Sequence, residues 1–148
     1  PLGIEAAVTN TATVSGTGIT PVTAAETVNA EAAPNLAITK SVSPVPVTEN
    51  GTLTYTFRIQ NYGSVAATNT TGVVITDTFA PVLNNLTAAL NGTAWTAATD
   101  YTYNEATGIF SSTAGAITVP AATYTQDSTT GAWVVTPGES TLVIIGTV

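Results

Sequence analysis

Apolar and polar residues alternate with a period of two through most of this chain. In TLTYTFRIQN (52–61), Leu53, Tyr55, Phe57 and Ile59 share one face, and Thr54, Thr56, Arg58 and Gln60 share the other. Alternation of this kind marks a strand with one wet face. GVVITDTF (72–79) groups Val73, Ile75, Asp77 and Phe79 in the same way, and STLVIIGTV (140–148) reads as a more fully apolar strand. TYNEATGIF (102–110) reads as a hairpin, while GAITVPAATYTQ (115–126) and AWVV (132–135) flank the turn signal DSTTG. The Asn-Gly pairs at 50–51 and 91–92 mark further turns. No amphipathic helix longer than two turns is expected. The nearest candidate, APVLNNLTAAL (80–90), reads as a loop with a short helical turn.

Strands at this spacing predict an all-β fold, an immunoglobulin-like β-sandwich over residues 35–148. The first 34 residues differ. IEAAVTNTATVSG (4–16) and TPVTAAETVNA (20–30) predict a hairpin, and EAAPN (31–35) is a short linker in which Pro34 stops further pairing. A lone hairpin is marginal in water, so this N-terminal extension is expected to pack on something.

Composition narrows the function. Thr is the commonest residue, and charged residues are 7% of the 148, far below the usual quarter. The net charge of −7 argues against nucleic acid, which recruits clustered Lys and Arg. Without His or Cys, a zinc site, a His-dependent triad and a disulfide framework are excluded. The acidic residues are scattered and make no carboxylate pair for glycoside hydrolysis. No cofactor, metal or membrane insertion is expected. Trp95 and Trp133 read as packing residues before they read as a sugar site. The chain begins with Pro and carries no basic, apolar leader, so a processed chain or a fragment is expected.

Alternation also aims three polar residues inward. In LAITKSV (36–42) the chain's one lysine, Lys40, shares a face with Leu36, Ile38 and Val42. Asp77 lies with Val73, Ile75 and Phe79, and Asn10 with Ile4, Ala6, Val8, Ala12 and Val14. Buried polar groups must find partners. A desolvated lysine, an asparagine and a protonated acid are the ingredients of an intramolecular isopeptide bond. In that reading Lys40 and Asn10 form the cross-link, Asp77 is the acid, and Glu26, which faces the same way as Val22, Ala24 and Val28, is the fallback acid. The alternatives are a plain Lys40–Asp77 ion pair, or a register in which Lys40 snorkels to water. Asn61 shares the inward parity of its strand, but its place before Tyr62-Gly63 reads as a turn.

The stretch LAITKSVSPVPVTENGTLTYTFRIQNYGSVAATNTTGVVITDTF (36–79) resembles the conserved repeat domain of bacterial and archaeal surface proteins, the domain of unknown function eleven. The matching features, in order, are Lys40 with SVSP, GTLTYTFRIQNYG, ATN and ITDT. TNTATVSG (9–16) resembles the last hairpin of such a repeat, which follows a strand like PGESTLVIIGTV (137–148). The resemblance implies a permuted order, a sandwich lacking its last strands and led by a hairpin that has their sequence.

A sandwich that lacks strands offers an open edge, and another copy's hairpin can fill it by strand donation. The expectation is therefore a structural subunit, not an enzyme apart from any autocatalytic isopeptide step. It would polymerise head to tail with copies of itself into an extracellular filament or a cell- or spore-surface appendage. The alternative is a stalk or adhesin module from a tandem array. A third option folds the hairpin back onto its own domain.

Overall fold

The computed structural model of the chain describes residues 6–30 and 32–148, with side chains described for residues 9–28 and 32–148. The strands are β1 (Ala6–Gly16), β2 (Ile19–Ala30), β3 (Leu36–Ser43), β4 (Thr52–Asn61), β5 (Thr76–Thr78) and β6 (Asn84–Leu90). They continue with β7 (Thr93–Ala94), β8 (Tyr101–Asn104), β9 (Ile109–Ser112), β10 (Thr123–Gln126), β11 (Trp133–Thr136) and β12 (Gly138–Thr147). No α-helix occurs among the described residues. The fold is all-β, with antiparallel sheets consistent with a β-sandwich.

A five-stranded sheet, β3-β4-β12-β6-β7, faces a three-stranded sheet, β5-β9-β8. The core lies between them. Leu53, Tyr55, Phe57 and Ile59 of β4 meet Phe79 and Phe110 from the opposite sheet, with the Tyr55 and Phe79 rings 4.7 Å apart. The alternation of β4 is therefore realised residue by residue. On its wet face Arg58 pairs with Glu139 across the sheet, a surface contact worth little to stability.

β3 and β12 flank β4 and run the same way. Leu36 and Gly138 both lie opposite Asn61, and the far ends reach Thr54 and Thr52. The sandwich thus has an Asn61 end and a Thr52 end. Asn61 is fully buried. Its Oδ1 accepts the N–H groups of Asn35 and Gly63, each at 2.9 Å, and its Nδ2 donates to the carbonyls of Val65 (2.8 Å) and Pro120 (3.0 Å). This corrects the reading of Asn61 as a turn residue: it ties three chain segments together. Gly63 is required there because a Cβ would run into the carbonyl oxygen of Ala33 and the amide of Asn35.

Two further expectations are corrected. Residues 84–90 form strand β6 rather than a loop with a helical turn, because pairing with β12 puts Ala88 and Leu90 into the core. Of residues 115–126 only Thr123–Gln126 is a strand. Ile117 and Val119 instead plug the core at the Asn61 end, and Pro120 precedes the ribbon. The Asn-Gly turns hold, with Asn50 and Asn91 in the left-handed region at φ 59° and 50°.

β10 and β11 form a separate two-stranded ribbon rooted at the Asn61 end, where Tyr124 donates its hydroxyl hydrogen to the carbonyl of Tyr62. Its tip is organised by Asp127, whose Oδ1 accepts the N–H groups of Thr130 and Thr129. Those bonds, Thr130 first, hold the Asp127 carboxyl below its ordinary value of 3.8. Because the folded value is the lower one, the turn is fully supported above the ordinary value and loosens only as the pH falls through the lowered one. In an acid titration from about pH 5 to about pH 2, the Thr129 and Thr130 amide resonances should shift in the native chain. In Asp127→Asn they should lose this dependence. An identical titration in both would refute the assignment.

Candidate functional site

The candidate site grows from the unequal size of the two sheets. The smaller sheet ends at β5, and among the described residues no strand lies beside β5 to cover the inward face of β3. Leu36, Ile38, Lys40 and Val42 all point between the sheets, yet none is buried, and Ile38 is 53% exposed. Their uncovered side chains form one wall of a groove. Val73, Val74 and Ile75 stand opposite Leu36 and Ile38, while Thr78, Phe79 and Ala80 stand opposite Lys40 and Val42. β5 therefore runs in the same direction as β3, from the Asn61 end to the Thr52 end.

Lys40 sits in the middle of this groove. Its ammonium donates to Asp77 Oδ2. The same Nζ lies 4.9 Å from the Tyr55 ring centre, 5.2 Å from Phe79 and 5.5 Å from Phe57. Ring faces attract a cation by about 0.5–1 kcal/mol each at sites of partial exposure. Two of the three predicted partners, Lys40 and Asp77, are thus brought together. The pair is not buried in the single chain: the Lys40 side chain is 40% exposed and that of Asp77 18%. The reason is again the missing cover over β3.

β5 is an open edge. Its pairing with β9 uses alternate residues: Ile75 accepts from the Ser112 N–H, and the Phe79 N–H donates to Gly108. By the same alternation Val74, Thr76 and Thr78 turn their backbone groups away from β9. The Thr78 N–H has only the neighbouring Asp77 Oδ1 as acceptor, at 2.9 Å.

Asn10 is elsewhere. β1 and β2 pair only with each other, and every residue from Thr9 to Val28 outside the turn and within it is exposed. The expectation that the hairpin packs on something, or folds back onto its own domain, is not met in the single chain. The Asn61–Gly63 clamp fixes residues 33–35 at the root of β3. The ribbon itself is two-faced. One face carries the cross-strand pairs Asn10–Glu26, Ala12–Ala24 and Val14–Val22, with Val8 paired to Val28 beyond them. The other carries Thr9–Thr27, Thr11–Ala25 and Thr13–Thr23, with the Thr9 and Thr27 hydroxyls 2.8 Å apart. Asn10 therefore meets Glu26, not Lys40 or Asp77, within one chain.

The sequence reading missed the open edge of β5 and the direct facing of Asn10 and Glu26. Counting outward from Thr17-Gly18 would set Asn10 against Ala25, and it is the register shift between Val14 and Gly16 that brings it opposite Glu26. No helix among the described residues is long and apolar enough to cross a membrane. The chain matches no family model, no curated protein and no solved structure.

Proposed function

We propose that the chain is a structural subunit of an extracellular filament, in which copies join head to tail by donating the β1–β2 ribbon to the groove of the next copy. One observation carries the reading. Among the described residues the ribbon packs on no other strand, and the smaller sheet of the sandwich is two strands short of the larger one, three against five. Placed beside β5, the ribbon would make the sheets equal, satisfy the open edge and cover β3. Each half-exposed apolar side chain covered in this way contributes about 1 kcal/mol, and the added strand contributes backbone hydrogen bonds. The completed sandwich is immunoglobulin-like, with β1 and β2 as its last two strands. The resemblance of residues 36–79 to surface-protein repeats, and the weakly charged, Thr-rich composition, support a place outside the cell.

The same insertion would cover Lys40 and bring Asn10 to it. The Lys40 ammonium passes one proton to Asp77, its Nζ attacks the Asn10 Cγ, the Cγ–Nδ2 bond breaks, and ammonia leaves carrying a second proton from Nζ. An amide between Nζ and Cγ remains, with Asp77 as the acid that polarises the carbonyl.

Two variants test the joint. Val14→Asp with Val22→Asp puts charge on the apolar ribbon face, and Ile38→Asp puts charge in the groove. Each alone should stay monomeric by light scattering. Mixed, they should give a one-to-one dimer and nothing longer, because the mixture offers one good ribbon and one good groove. Polymers from either variant alone would refute strand donation.

A further inference from the structure

We infer that the ribbon enters the groove of a second copy in one polarity and one register, with the Asn10–Glu26 pair set against Lys40. The inference rests on the strand-donation reading and specifies its partner surface.

Three observations converge on it. The first is the order of side chains. Along β3, from the Asn61 end, the inward residues are Leu36, Ile38, Lys40 and Val42, with the polar one third. Along the ribbon, from its turn, the apolar face carries the pairs Val14–Val22, Ala12–Ala24 and Asn10–Glu26 and then Val28, again with the polar level third. With the turn at the Asn61 end, all four levels match at once. Small Ala12 and Ala24 then lie at the level of the large Ile38. A slip of one residue would turn the Thr face inward, and a slip of two would set Lys40 against alanine or valine pairs.

The second is charge. Lys40 and Arg58 are the chain's only basic residues, and Arg58 points outward to Glu139. Glu26 is the single acidic residue on the described part of the ribbon face. The matched register brings that carboxylate to the only cation in the groove.

The third is the path of the chain. β5 runs from the Asn61 end to the Thr52 end, so β1 laid antiparallel beside it runs the other way, and β2 returns over β3 to emerge at the Thr52 end. A five-residue linker (31–35) spans at most about 17 Å, so the donor's Asn61 end must sit close to the acceptor's Thr52 end. In the opposite polarity β2 would emerge at the acceptor's Asn61 end. That end already carries the acceptor's own linker, clamped on Gly63, and the β10–β11 ribbon. The matched polarity is the one that leaves this end free to donate in turn.

The chain contains no cysteine, so introduced thiols report without background. Filaments of Val28→Cys/Val42→Cys and of Val22→Cys/Val42→Cys are treated with a thiol cross-linker about 10 Å long, the spacing of facing sheets. The first variant should give cross-linked chains and the second none above background. Cross-links in the second variant and none in the first would overturn the polarity while leaving strand donation standing. Equal cross-linking in both would overturn the unique register. If neither variant nor the native chain forms filaments, both the inference and the strand-donation reading fall.

Discussion

Replacing Asn61 with alanine should destabilise the sandwich by about 3–4 kcal/mol and lower its melting temperature by roughly 10 °C. The magnitude follows from what the side chain holds. It is fully buried and uses both amide hydrogens and both oxygen lone pairs, on Asn35, Gly63, Val65 and Pro120. Alanine would leave two N–H groups and two carbonyls unpartnered, at a cost of about 1 kcal/mol or more each, offset in part where water reaches them. Asn61→Asp is close in shape yet should be at least as damaging. It keeps the acceptors, loses both donors and turns a carboxylate toward two carbonyl oxygens. Thermal unfolding followed by near-ultraviolet circular dichroism checks both. A change under about 1 kcal/mol in either variant would show that the clamp is not structural.

Native filaments should resist boiling in detergent as a ladder of chain multiples, with about 17 Da missing per junction for the ammonia released at each amide. Lys40→Arg should abolish the ladder entirely. It keeps the cation beside Asp77 and the aromatic rings but removes the nucleophilic amine, because guanidinium stays protonated. Filaments of this variant should still form and should fall to single chains in detergent. Asn10→Ala should behave likewise. Intact mass spectrometry reads all three. Native filaments that dissolve to unshifted single chains would leave the joint non-covalent, with Lys40 and Asp77 as an ion pair that keys the register.

Much of the sandwich was legible in the sequence because its strands are half-buried. Leu53, Tyr55, Phe57 and Ile59 alternate with polar residues, and the period of two needs no tertiary information to be read. Residues 84–90 were harder, since Leu83, Leu86 and Leu90 at i, i+3 and i+7 suit a helical face locally, and the segment becomes a strand through pairing with β12. Ile117 and Val119 were read as strand residues and instead plug the core without a ladder partner of regular length. Asn61 was hidden for a different reason. Its partners at 35 and 120 are far away in sequence, and no local pattern shows that a turn-like Asn closes such a network.

At the candidate site, parity alone aimed Lys40 and Asp77 into one interior, and the structure joins them. What parity cannot supply is the count of strands in each sheet. Lys40 is accessible because the smaller sheet ends at β5, and Asn10 is remote because β1 and β2 pair with each other and with no other described strand. The sequence shows which faces are apolar, whereas the number of strands that cover each face is set by long-range pairing.

The most direct measurement is electron microscopy of the purified chain after concentration, with no other protein present. Unbranched filaments of uniform width are expected, with a repeat of one sandwich along the axis and the β1–β2 ribbon in each groove. A stable population of single particles at every concentration, with the ribbon free and the groove open, would contradict the strand-donation account.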